Sequence, residues 1–214
     1  MLKRFSCTLL VLLTCHIHAE QLLPEEIAPI AHRWAYINYQ MQERDKEAAF
    51  RQLTDEADQL VKANPGKAEP MVWEAIVLAS SAKAEGGLGA LGKAKHARDL
   101  LLDARKIDPA TLNGSIYTSL GSLYAKVPGW PIGFGDKKEA KNNFEKALQI
   151  NPKGIDSNFF YADFLATQEE YAKAAEYAQK ALAAPTRPGR EDADAGRRKE
   201  VEQLLTEIKR KTAN

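Results

Sequence analysis

From Ile27 onward, apolar residues recur at helical spacing and then stop at a proline. The cleanest instance is Ala140, Phe144 and Ala147 followed by Pro152, at i, i+4, i+7 and i+12, which puts three residues on one helix face with a stop after it. The same offsets return in Ala97, Leu101, Ala104 and Pro109, and in Leu53, Ala57, Leu60 and Pro65. A fourth copy, Ala174, Ala178 and Ala181, meets Pro185 one residue early. Each such helix follows another with a large-large-small-large face: Trp73, Ile76, Val77 and Ser80; Tyr117, Leu120, Gly121 and Tyr124; Asn158, Tyr161, Ala162 and Leu165. The chain therefore predicts helix pairs in units of about 27–65, 70–109, 114–152 and 155–185. Small residues at the crossing points let two helices approach closely, while bulky ones fill the gaps between neighbouring pairs.

No single pair buries its own apolar face, so a repeat stack needs a terminal cap. Residues 191–214 supply a helix for it, with Val201, Leu204, Leu205 and Ile208 as an apolar stripe. Thr186 to Arg190 reads as a turn-rich hinge, and the charge-dense stretch Arg190 to Lys199 as a solvated helix face. Trp34, Tyr36 and Tyr39 in the first helix read as capping and core.

These residues resemble the tetratricopeptide repeat (TPR) family, whose unit of about 34 residues carries an aromatic, a Leu-Gly pair and a Tyr in helix A, then Ala, Phe, Ala and Pro in helix B. Units three and four match well, unit two fairly, and unit one is degenerate. The resemblance implies an all-α, right-handed superhelical stack of about four helix-turn-helix repeats over residues 20–190 with a C-terminal capping helix. It also implies a concave groove lined by helix A positions: Met71, Glu74 and Leu78; Ser115, Thr118, Ser122 and Lys126; Asp156, Phe159, Asp163 and Thr167. Such a mix of hydroxyls, acids and an aromatic suits an extended peptide or a helix and is too weakly basic for phosphate backbones.

Spacing departs from the family unit. Pro65, Pro109 and Pro152 stand 44 and 43 residues apart, so about ten residues are added per unit relative to the ~34-residue repeat. Most fall between helices A and B, as Gly86 to Gly92 in unit two and Pro128 to Gly135 in unit three. Equivalent loops in stacked repeats project from one edge, and such insertions often form the binding face. Candidate partner-binding residues are therefore Gly87, Gly89 and Gly92, with Trp130, Pro131, Ile132 and Phe134. Asp136 opens the next helix, with Glu139 completing a capping-box pattern. Two readings of the aromatic loop stand: packed over its own groove, or presenting its rings to a ligand.

The string Pro128 to Asp136, with Asp156 to Tyr161 after it, also resembles exported bacterial repeat proteins related to the T-component of TRAP transporters. That resemblance implies association with a solute-binding protein.

Composition and the N-terminus set the compartment. Lys3 and Arg4, an apolar run from Phe5 to Thr14, and Ala19 before Glu20 describe a secretory signal peptide over residues 1–19. Leu12-Leu13-Thr14-Cys15 offers a second reading, a lipoprotein anchored through Cys15. Cleavage after Ala19 turns the net charge from +1 into −1 and removes both cysteines. The expectation is a periplasmic protein, without disulfides or thiolate metal sites, whose only route to a membrane is lipidation at Cys15.

Other chemistries are weaker. Gly87 to Gly92 fits G-x-G-x-x-G, but it follows a helical pattern where a dinucleotide site follows a strand. A lesser version has the glycine amides holding an anion beside Lys93 and Lys95. His32 and His96 have no second ligand at metal spacing, and Ser115, Ser119 and Ser122 have no nucleophile elbow. The sequence thus points to a non-enzymatic, cofactor-free envelope scaffold or adaptor for another envelope protein or peptide. The alternative is a ligand-handling transport accessory in which Trp130, Ile132 and Phe134 close over an apolar small molecule. Nucleic acid is not an expected partner.

Overall fold

The structure, a computed structural model, describes residues 23–213. The signal segment and Cys15 lie outside the described residues. Nine helices are described: α1 (Ala28–Tyr39), α2 (Glu43–Ala63), α3 (Ala68–Glu85), α4 (Gly87–Ile107), α5 (Thr111–Lys126), α6 (Lys137–Ile150), α7 (Ile155–Thr167), α8 (Tyr171–Leu182) and α9 (Glu191–Thr212). The first eight form four successive pairs and α9 follows them, an all-α helical repeat stack.

The proline-terminated faces are the core of the B helices. Ala97, Leu101 and Ala104 in α4, Ala140, Phe144 and Ala147 in α6, and Ala174, Ala178 and Ala181 in α8 are buried. Alanine at these positions brings the A helix close, and in unit three the approach is closest at Gly121. A Cβ there would lie 2.7 Å from the Phe144 ring. Glycine on α5 and phenylalanine on α6 are therefore one packing decision. The stops are also anchored: Asp108 accepts from Ala110 N at 2.9 Å and Thr111 Oγ1 at 2.8 Å, and Asn158 Nδ2 donates to the Pro152 and Gly154 carbonyls.

One sequence expectation is corrected here. The segment Gly86 to Gly92 is not a loop. A turn through Gly86 and Gly87, at φ 66° and 63°, joins α3 directly to α4, and the added residues lengthen both helices. Glycine is needed for the turn, since a left-handed backbone costs an L-residue about 1–2 kcal/mol. Gly89 and Gly92 lie inside α4.

At the start of α5, Leu112, Asn113 and Gly114 have φ of 50°, 52° and 83°. This left-handed turn delays the right-handed helix to Ser115. A Cβ on Gly114 would lie 3.3 Å from Ile150, so this turn packs onto the end of α6.

The last helix does more than the expected cap. The sequence predicts a cap on the last pair, yet α9 packs against α7 and α8 and also against α1, the first helix of the stack. Gly196 permits the crossing, because a Cβ there would come within 2.2 Å of Tyr39. Tyr39 donates to Glu200 at 3.1 Å and His32 Nδ1 lies 2.9 Å from Asp192 Oδ2. The last helix thus ties the two ends of the array together across its concave side.

Candidate functional site: a cavity closed by the last helix

The A helices α1, α3, α5 and α7 form the inner wall, and α9 covers it. A semi-enclosed cavity of about 840 Å³ is left between them, within the range of about 300–1,000 Å³ typical of small-molecule sites. Its apolar lining includes Trp34, Trp73, Ile76, Leu112, Phe159 and Phe160. A row of hydroxyls along α5, Ser115, Thr118, Ser119 and Ser122, faces the same space. Ser115, Thr118 and Ser122 bond carbonyls three or four residues back in their own helix.

Of the groove residues expected from the sequence, Ser115, Thr118, Ser122, Lys126, Asp156, Phe159 and Asp163 do line the cavity. Met71, Glu74, Leu78 and Thr167 do not. On α3 the lining positions are Trp73, Ile76, Ala79, Ser80, Ala82 and Lys83. Trp73 stands eight residues after Pro65, whereas Ser115 stands six after Pro109. Transferring positions by proline spacing therefore misses by two residues, and two residues turn a helix by about 200°. Glu74 ends on the opposite face, buried, where desolvation raises its carboxyl pKa, His96 and Lys62 opposing that rise and Asp58 reinforcing it.

The closure of α9 rests on buried charge. Arg187, in the connection after α8, donates from Nε and Nη2 to Asp194 Oδ1 at 2.8 and 2.5 Å and from Nη1 to Asp156 Oδ2 at 2.7 Å. Arg197 donates from Nε to Asp156 Oδ1 at 2.8 Å and from Nη1 to Glu200 Oε2 at 2.5 Å. Its guanidinium also lies over the rings of Phe159 and Phe160, at 4.6 and 4.4 Å. Burial alone would raise the Asp156 carboxyl, but Arg187 and Arg197 outweigh it and hold the group far below the usual carboxylate range. Burial likewise pushes the Tyr39 hydroxyl up.

The turn expected at Thr186 to Arg190 is present, with Arg190 N donating to Arg187 O at 3.0 Å, but the solvated face expected from Arg190 to Lys199 is replaced by an ion network joining α7, α9 and α1. Asp194 and Arg197 are buried. The signal was present: Asp194, Arg197, Val201, Leu204 and Ile208 follow one another at spacings of three and four, so the two charges continue the apolar stripe. Charged residues on a core-facing stripe require partners, since unpaired burial costs several kcal/mol per ion.

Arg190 differs from its neighbours. It lines the cavity with its guanidinium 5.1 Å from the Trp73 ring, and its Nε is buried without a hydrogen-bond partner among the described residues. Burial first, then the positive charge of Arg187, pushes its pKa down to about 10. Trp73 Nε1 is also buried and unpartnered among the described residues.

The aromatic loop between α5 and α6 divides between its two expected roles. Its backbone folds on itself: Gly135 N donates to Pro128 O at 2.9 Å and Gly133 N to Gly129 O at 3.1 Å. Cβ atoms at Gly133 and Gly135 would meet the Pro128 and Val127 carbonyls, respectively. Phe134 turns inward, edge-on to Tyr124 at 5.6 Å and under the Arg98 guanidinium at 4.5 Å. Trp130 is 90% exposed and Ile132 66% exposed, and of the two only Ile132 lines the cavity. Pro131 does not line it.

Asp136 caps α6, accepting from Lys138 N at 2.8 Å and Glu139 N at 3.0 Å. Its own N–H goes to Tyr124 O at 3.0 Å, so Glu139 does not complete the reciprocal half of a capping box. The glycine segment meets this loop, since a Cβ at Gly133 would lie 3.4 Å from Leu91 Cδ1. Gly87 lines the cavity, whereas Gly89 and Gly92 do not. Lys93, considered above as an anion partner, is paired with Glu85 and donates to Ser81 Oγ at 2.9 Å.

Among the described residues no helix is long and apolar enough to cross a membrane, and no group of three or more His, Cys, Asp or Glu is placed to hold a metal. No family model matches the chain, and no curated protein matches it significantly. Among solved structures the chain is similar to a thermophilic TPR protein of Thermus thermophilus, at 15% identity over 85% of this chain and 99% of that chain, with a TM-score of 0.44. The assignment to a helical repeat stack therefore rests on the four helix pairs and the buried alanine faces of this chain itself.

Proposed function

We propose that the protein is a non-enzymatic ligand-handling scaffold of the bacterial envelope, exported by cleavage near Ala19 and acting beside a partner such as a solute-binding protein. One observation carries this reading: α9 closes the concave side and leaves a lined cavity of about 840 Å³ where an open peptide groove was expected. A peptide-binding repeat keeps that side free for an extended chain or a helix. Here the space is occupied by the chain's own last helix, and what remains suits a small molecule with an apolar body and a few polar contacts.

Native mass spectrometry of the chain purified gently from an envelope fraction tests it. A persistent excess of a small-molecule mass is expected, reduced in Ser119→Trp, which places an indole in the middle of the cavity. A bare wild-type chain that also fails to bind the apolar dye Nile red would overturn the reading. The same spectrum gives the N-terminus, Glu20 for simple cleavage or acylated Cys15 for a lipoprotein.

A second reading, an adaptor that docks another envelope protein, is favoured by the 90% exposure of Trp130 at the loop edge. The two are separable, because Trp130→Ala removes docking and leaves the cavity intact.

A further inference from the structure

In the wall of the cavity a guanidinium lies over an indole ring, and no carboxylate among the described residues forms an ion pair with it. Arg190 comes from the connection into α9 and Trp73 from α3, and the guanidinium stands 5.1 Å from the indole ring. Arg190 Nε and Trp73 Nε1 are both buried behind the lining and neither has a partner among the described residues, while Arg190 as a whole is part-exposed and lines the cavity, so the outer end of its guanidinium is what a ligand meets. Arginine and the indole N–H accept nothing, so no internal rearrangement between the two can satisfy them. The neighbouring carboxylates are already engaged: Asp156 by Arg187 and Arg197, Asp194 by Arg187, Glu200 by Arg197 and Tyr39. Native interiors rarely leave a charged donor in this state, because its desolvation is then uncompensated.

We propose that Arg190, with Trp73 beside it, is the head-group subsite of the cavity and that the ligand is a small apolar molecule bearing a carboxylate. A carboxylate is the acceptor that matches a planar guanidinium, taking two parallel N–H bonds at once. The remainder of the ligand lies against the apolar wall that includes Ile76, Leu112, Phe159 and Phe160. Arg197 is not the anchor, since its charge is already paired with Asp156 and Glu200 through Nε and Nη1 and its guanidinium covers the two phenylalanines. Burial and the like charge of Arg187 depress the Arg190 pKa more than Asp156 and Asp194 raise it, and a ligand carboxylate in direct contact would oppose that depression.

This inference rests on the ligand-handling reading, and calorimetry separates the failure of one from the failure of the other. The full mature chain is titrated with decanoate and dodecanoate and with the alcohols decanol and dodecanol. The carboxylates are expected to bind roughly tenfold or more tightly than their alcohols, as charge-assisted hydrogen bonds exceed neutral ones. Arg190→Gln should bring the carboxylates down to the level of the alcohols and leave the alcohols unchanged. Alcohols that bind as tightly as the acids, or an unaltered Arg190→Gln, overturn the carboxylate subsite while the cavity stands as a binding site. If neither series binds and Nile red does not bind either, the cavity reading falls and the subsite with it. Should Arg190→Gln fail to fold, Arg190→Lys decides: it keeps the charge but loses the fork, so several-fold weaker carboxylate binding supports the subsite and undiminished binding overturns it.

Discussion

Substituting Gly196 by alanine tests the crossing that closes the cavity. The new Cβ would stand 2.2 Å from Tyr39 Cγ and 2.3 and 2.5 Å from the adjacent ring carbons, where ordinary contact begins near 3.4 Å. The helices must therefore separate by more than an ångström, or the ring must turn away. Turning is resisted on two sides: the Tyr39 ring packs edge-on to Trp34 at 5.7 Å and its hydroxyl bonds Glu200 at 3.1 Å. Overpacking of this kind costs about 1–3 kcal/mol, and loss of the Glu200 bond puts Gly196→Ala near the middle, about 2 kcal/mol. For a chain of this size that lowers Tm by about 4–8 °C. The control is Gly92→Ala in α4, where a Cβ meets nothing within 4 Å; there alanine should stabilise by about 0.5 kcal/mol through the lower entropy of the unfolded chain. Thermal unfolding by circular dichroism reads both. Hydrogen exchange adds the location, with faster exchange in α1 and α9 of Gly196→Ala and no change in the α5–α6 pair. A Gly196→Ala variant that melts within a degree of wild type, with α1 and α9 equally protected, would refute the crossing.

The remaining predictions concern charge and the loop. Asp156→Asn leaves Arg187 and Arg197 without their shared carboxylate and should cost about 3 kcal/mol, the lower end for breaking a buried pair, measured by urea unfolding at neutral pH. Asp156 stays ionised in the fold and takes up a proton near pH 3.8 when unfolded; its contribution is thus present above that pH and is lost as the pH falls below about 4, a slope that Asp156→Asn should reduce. Glu74 has the opposite sign: its folded pKa lies above 4.5, so it favours the fold in acid and loses that advantage as the pH rises through the folded value. Glu74→Gln should raise Tm at pH 7, with the gain shrinking toward pH 4. Phe134→Ala should cost about 1–2 kcal/mol through its contacts with Tyr124 and Arg98, whereas Trp130→Ala should stay within about 0.5 kcal/mol; equal effects in equilibrium unfolding would contradict the division of the loop.

The apolar period and its prolines were enough to place the helix pairs, since burying an alanine or phenylalanine face is a local demand that repeats with the chain. The positions on α5 and α7 that line the cavity came from the family resemblance instead, and Thr167 alone of those eight lies outside the lining. Glu74 was misplaced because a helix face is decided by one or two residues of register, and the turn before each A helix differs in length. The glycine segment was misread because glycine is permissive: the same residues serve a loop or a helix, and only the short turn at Gly86 and Gly87 decided between them. Arg187, Arg190, Asp194 and Arg197 were overlooked, since a charged residue reads as solvated until its partner is known, and these partners lie on other elements.

By itself, then, the sequence determined the elements: how many pairs, the apolar faces and proline stops of the second helix in each, and the cap at Asp136. What only the tertiary structure decided is where the chain's end goes. The return of α9 to α1 depends on Gly196 meeting Tyr39 and on Asp156 meeting two arginines more than thirty residues away in sequence. Such contacts are long-range and leave no period in the chain, yet they convert an open groove into a cavity and leave Arg190 in its wall without a partner among the described residues.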